Sequence, residues 1–87
     1  MKMFCVSRST DIATGLRLSG IETIVVNGLK SEDIKEKIYE LYDSEDIGIL
    51  GITEDIYDEF KIEMEELAFR QDLPLIVKIP NSKRMQR

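Results

Sequence analysis

Few positions in this 87-residue sequence could carry chemistry, and Cys5 is the first of them. It precedes Ser7, Ser9 and Thr10, as a strand-end thiol would in a phosphocysteine carrier whose backbone nest holds the phosphate. The glycine-rich loop that such a carrier needs is missing. Cys5 also lies within the apolar run Lys2-Met3-Phe4-Cys5-Val6-Ser7, where a free cysteine behaves as a small buried hydrophobe. A cysteine-phosphatase loop fails at Asp11, six positions after Cys5, where a carboxylate would repel the substrate. The chain has no histidine, which removes Ser-His and Cys-His couples and the usual nitrogen ligand for zinc or copper. Gly15 and Gly20 have the glycine spacing of a P-loop, but Ile21 and Glu22 stand where Lys and Ser or Thr must grip phosphate and magnesium. Glu54 and Asp55 are adjacent carboxylates, better read as favourable charge at a helix N-terminus than as a metal site. No catalytic, cofactor-binding or metal-ligating residue is assigned, and carboxylate chemistry is the one catalytic route left open.

The elements that position these residues alternate. Lys2–Ser7 reads as a strand, with Ser9-Thr10-Asp11 able to cap the helix behind it. Ile12 and Leu16 lie four apart in that helix, and Gly20 stands where a helix stops in the left-handed conformation. The β-branched run Glu22–Asn27 is a second strand ending at the turn dipeptide Asn27-Gly28. Ser31 caps a second helix with the stripe Ile34, Ile38, Leu41. Ile47–Thr53 is apolar on both parities, as in a central strand covered on both faces. Thr53 caps a third helix whose stripe is Ile56, Phe60, Met64 and Leu67; Leu73-Pro74 ends it, and Leu75–Ile79 is a fourth strand closed by Pro80-Asn81.

One helix between each pair of strands forces parallel pairing through right-handed crossovers. The expected fold is α/β, a single flavodoxin-like (Rossmann-like) three-layer sandwich of four parallel strands in βαβαβαβ order with helices on both faces. Residues 1–80 form the domain and 81–87 a short basic tail.

Composition narrows the function classes. With 43% hydrophobic residues, 5 Gly and 2 Pro, the chain has enough apolar content for a core and too few turn formers for disorder. No apolar run approaches the ~20 residues that cross a bilayer. With no signal-peptide pattern and no disulfide partner for Cys5, the expected location is cytoplasmic. Fifteen of the 17 acidic residues lie between Ser31 and Asp72 against four basic ones, Lys35, Lys37, Lys61 and Arg70. Such a face repels phosphate backbones, and the aromatic residues are not interleaved with Lys or Arg, so nucleic acid is not an expected partner. Lys83, Arg84 and Arg87 reverse the sign at the end.

One feature points outward. At about 100° per residue from Ile56, the residues Phe60, Met64 and Leu67 cluster between about 20° and 80°, while Ile62 and Phe69 fall near 240° and 220°. That opposite face is a candidate docking surface. Leu18, off the Ile12–Leu16 line and beside Arg17, gives the first helix a mixed apolar and cationic surface.

The segment from Ser9 to Ile21 resembles the signature of the F subunit of the V-type and A-type rotary ATPases, which reads close to Asp-x-x-Thr-x-x-Gly-Phe-Arg-Leu-Ala-Gly-Ile. Thr14, Gly15, Arg17, Leu18, Gly20 and Ile21 keep its frame. Asp46–Glu54 is similar to that family's third strand with its Ile-Thr-Glu ending, and Leu73–Pro80 to its fourth. Two positions depart from it: Ser7-Arg8 replaces a common Gly-Asp, and Leu16 replaces the Phe. The resemblance implies a non-catalytic rotor component of the central stalk, without cofactor, peripheral to the membrane and docked on the coiled-coil D subunit while ATP turnover is coupled to proton or sodium transport. It also implies contact with the A and B subunits of the catalytic headpiece through a C-terminal helix, expected to be absent from a chain ending at Arg87. Arg17, Leu18, Thr53 and Glu54, together with Ile62 and Phe69, are the partner-binding residues it suggests. A phosphocarrier using Cys5 and a receiver-like signalling module are the alternatives; the receiver lacks its acids, since Ser7-Arg8 and Thr53-Glu54 occupy the ends of the first and third strands.

Overall fold

The computed structural model describes residues 2–70 and 72–81. Strand β1 (Lys2–Ser7) leads to α1 (Thr10–Leu18), β2 (Glu22–Val25) to α2 (Ser31–Tyr42), and β3 (Ile47–Thr53) to α3 (Glu54–Glu59), α4 (Lys61–Phe69) and β4 (Leu75–Ile79). All pairings are parallel and the order is β2-β1-β3-β4, the single α/β sandwich that the alternation of elements dictates. The basic residues Lys83, Arg84 and Arg87 lie outside the described residues.

Partners in parallel register share a face of the sheet, and successive residues alternate between faces. One face carries Phe4, Val6, Ile24, Leu50, Ile52 and Ile76, which pack with Ile34 and Ile38 of α2, Ile56 of α3 and Met64 and Leu67 of α4. This is the main core. The other face carries Met3, Cys5, Ser7, Thr23, Gly51, Leu75 and Val77, and α1 alone lies on it, against β1 and β2. Both faces bear helices, but not equally.

Local chemistry explains most boundaries. Ser9 caps α1 by accepting the Ile12 N–H at 3.2 Å, and Gly20 follows the helix at φ 88°. Two expected caps are corrected. Ser31 is the first residue inside α2, Lys30 holding the cap position, and its hydroxyl donates to Glu59 Oε2 at 2.5 Å. Thr53 occupies the cap position of α3, but its buried Oγ1 makes no hydrogen bond. Asn81 caps the helix from the far end of β4, its Oδ1 accepting the Asp55 N–H at 2.9 Å.

The third crossover holds two helices where one was expected. They meet at Phe60, whose φ of −111° and ψ of 40° break the helix. Neither Gly nor Pro marks the joint. The buried stripe runs through it, Ile56, Phe60, Met64 and Leu67 all being at most 8% exposed, so both segments present one side to the core.

Candidate functional site

In an open parallel sheet the ligand crevice lies beyond the carboxyl ends of the strands, where the strand order reverses. Here that point falls between β1 and β3, between the turn Ser7-Arg8-Ser9 and the corner Thr53-Glu54-Asp55. The fold does bring these segments together, with Asn81 beside them. What occupies the crevice is the protein's own Arg8. Its Nη2 donates to Glu59 Oε1 at 2.6 Å, and its Nη1 lies 3.6 Å from Asp55 Oδ2. Ser31 donates to the other oxygen of Glu59, so one carboxylate joins the β1–α1 turn, α3 and the start of α2. Hydrogen bonds from Ser31 first and Arg8 second hold the Glu59 carboxyl below its ordinary value.

The β1–α1 turn folds back on its own polar groups. The Ser7 hydroxyl accepts the Ser9 N–H and donates to the Ser9 carbonyl, both at 2.9 Å. The third and fourth amides of α1 go to Ser9 itself, with Ile12 N–H on the hydroxyl and Ala13 N–H on the carbonyl. Cys5 is wholly buried, and burial pushes its thiol above the ordinary value, the reverse of what a phosphoryl-accepting thiolate needs. That geometry counts against the phosphocarrier. A shallow depression on α2 lined by Asp33, Glu36, Lys37, Tyr39, Glu40 and Asp43 is acidic and repels phosphates. No helix among the described residues is long and apolar enough to cross a membrane.

The suggested contact residues divide three ways. Leu18 is 84% exposed on α1, and Ile62 and Phe69 are 81% and 84% exposed on α4. The sheet stands between these two groups, since α1 covers one face and α4 the other. Arg17 is held structurally, its Nε and Nη2 donating to the Thr23 carbonyl at 3.1 and 2.7 Å. Just past β2 the Val26 N–H bonds to the Ser7 carbonyl of β1, so by alternation the carbonyl of Thr23 points off the sheet edge, where Arg17 satisfies it. Thr53 has no exposed surface and cannot itself touch a partner. Of that corner Glu54 remains, half-exposed and accepting the Asn81 N–H at 3.3 Å.

Sequence reasoning missed Arg8, Glu59 and Ser31 as a cluster. Arg8 and Glu59 are 51 residues apart and Ser31 and Glu59 are 28 apart, and no local pattern links them.

Comparison with curated proteins gives no match. A family model described as ATP synthase (F/14-kDa) subunit matches residues 4–87, nearly the whole chain. The chain belongs to the ATP synthase F/14-kDa subunit family and is thus a component of a rotary ATPase.

Proposed function

We propose that this chain is the non-catalytic F subunit of a V-type or A-type rotary ATPase, carried on the central stalk by the coiled-coil D subunit. It acts as a rigid adaptor that turns with the shaft while ATP hydrolysis or synthesis is coupled to proton or sodium transport. The domain is residues 1–80, with 81–87 a basic tail. Any contact with the A and B subunits of the headpiece belongs to residues following the sheet, and the complex is peripheral to the membrane on the cytoplasmic side.

The observation that carries this reading is the family match across residues 4–87. The switch point adds no sign of a substrate site, its Arg8 being paired with Glu59 and near Asp55. Leu18, Glu54, Ile62 and Phe69 are the contact residues, and Arg17 holds α1 so that Leu18 faces outward. The test is co-expression with the D subunit. A one-to-one complex is expected, with no ATPase or phosphoryl-transfer activity in the isolated chain. Phe69→Ser and Leu18→Ser should each weaken the complex, and a wild-type chain that does not bind the D subunit would remove the proposal.

A further inference from the structure

The helix α3 is six residues long, well below the length at which a helix holds by itself, and Ile56 is its one buried side chain. Four of those six residues are acidic, and they fall at the spacing where like charges oppose a helix, Glu54 with Asp58 and Asp55 with Glu59. Both ends of α3 are marked. Thr53 gives it no hydrogen bond at the start, and Phe60 breaks it from α4. What holds α3 lies outside it, on two sides. Toward β1 and α2, Arg8 pairs with Glu59 at 2.6 Å and lies 3.6 Å from Asp55, while the Ser31 hydroxyl donates to Glu59. Toward the end of β4, Lys78 Nζ lies 3.0 Å from Asp58 and 5.0 Å from the centre of the Tyr57 ring. On that same side the Asn81 N–H donates to Glu54 at 3.3 Å, and Asn81 Oδ1 accepts the Asp55 N–H at 2.9 Å. Every carboxylate of α3 is matched by a group from another element.

We propose that α3 is a clasp that opens as one unit: it couples the β1–α1 turn and α2 to the end of β4, so that releasing it from Arg8 or Ser31 also frees Lys78 and Asn81. The ion pairs on α3 join side chains that are between 32% and 56% exposed, and each such pair is weak taken singly. Neither side therefore holds the helix alone. When one side lets go, neighbouring carboxylates in a six-residue helix are left to oppose each other, and the helix is lost. Asn81 goes with it, because the Asp55 amide and the Glu54 carboxylate stand at its two polar groups only while α3 is wound. Among the described residues no hydrogen bond or ion pair joins Arg8 or Ser31 to β4 or Asn81, so the coupling between them runs through α3. The strands beneath are held by buried apolar side chains and stay closed while the clasp opens.

The experiment is amide hydrogen exchange on the whole chain, followed by NMR and read at the Asn81 N–H. Arg8→Met should speed exchange there about three- to tenfold, although Arg8 makes no bond to Asn81, and the amides of Asp58 and Glu59 in α3 should speed by the same factor. Ser31→Ala leaves the net charge unchanged and should speed the same amides about twofold or more; if Arg8→Met does not fold, this variant decides. Arg17→Met removes the fork at the β2 edge, on the α1 side of the sheet, and should leave Asn81 at the wild-type rate. If Arg8→Met and Ser31→Ala both leave Asn81 unchanged, its contacts open independently of the other side of α3 and the clasp is overturned. Faster exchange in Arg8→Met but not in Ser31→Ala would be an effect of charge on the exchange chemistry, and would overturn it too. Equal acceleration by Arg17→Met would mean that Asn81 opens only with the whole domain, which removes the separate unit.

Discussion

Gly51 leaves no free room for a side chain between β1 and β4, and a Gly51→Ala substitution with a double-mutant cycle measures that packing. A Cβ built at Gly51 would lie 2.8 Å from Cys5 Sγ, and 3.0 and 3.2 Å from Ile79 Cδ1 and Cγ1. Ile79 is half-buried on the edge strand and can swing aside; Cys5 is wholly buried on a central strand and cannot. Overpacking of this kind costs about 1–3 kcal/mol, offset by about 0.4–1 kcal/mol because alanine restricts the unfolded chain. A net loss of about 1.5 kcal/mol is expected, a fall in Tm of about 6–12 °C for a domain of this size. Cys5→Ala by itself should cost about 1 kcal/mol for the lost burial of one sulfur. In the double variant the new methyl moves into the space the sulfur left, so the combined loss should fall about 1 kcal/mol below the sum of the two. Urea unfolding followed by circular dichroism gives all four stabilities. If the two losses add to within about 0.3 kcal/mol, the contact between Cys5 and position 51 does not govern this packing and the reasoning fails.

Three further outcomes follow from particular contacts. Arg17→Met should lower stability by about 1 kcal/mol by orphaning the edge carbonyl of Thr23, and Arg17→Lys should recover less than half, since an ammonium cannot make the two-nitrogen fork; thermal melts decide both. Because the folded-state value of Glu59 is depressed, its contribution is complete above the ordinary 4.5 and is lost as pH falls through the folded value. Ser31→Ala, which removes the largest cause, should therefore lower the urea midpoint at pH 6 and converge with wild type at the acid end of a titration below 4.5. Finally, Ile62→Ser and Phe69→Ser should change unfolding free energy by less than about 0.5 kcal/mol, whereas Phe60→Ala should cost about 3–5 kcal/mol, a contrast that separates contact residues from core residues on one crossover.

Where the sequence reading succeeded, the governing interaction was local. Pro74 and Pro80 bracket β4, Gly20 and Gly28 mark turns that need a positive φ, and the outward angles of Ile62 and Phe69 follow from helix geometry alone. Where it failed, a distant side chain had taken over a local role. Ser31 looks like a cap, but Glu59 offers its hydroxyl a charged acceptor from another helix. Thr53 looks like one too, and Asn81, arriving from the end of β4, supplies the oxygen in its place. The joint at Phe60 left no trace because the buried stripe continues through it. The run Leu75-Ile76-Val77 identifies β4 without saying which of its faces is covered, and Leu75 and Val77 remain 49% and 38% exposed.

The closed crevice and the half-covered face have a common origin in the single reversal of strand order. Turning from β2 back past β1 to β3 places the switch point between β1 and β3, and it also sends α1 alone to one face while every later helix goes to the other. A fold of this kind has two places to receive something: a concave one at the strand ends and a flat one on the half-covered face. Small ligands need the concave one, where they can be surrounded. Here Arg8, Glu59, Asp55 and Ser31 fill it with bonds to one another, and opening it would strand two carboxylates beside each other. The flat place carries the part-exposed Ile49, Leu75 and Val77 and gives a small molecule nothing to close around it. Among the described residues the side chains of Arg8, Ser31, Asp55 and Glu59 at the strand ends lie against one another, while the large apolar side chains still exposed are on α1, on α4 and on the half-covered face of β3 and β4.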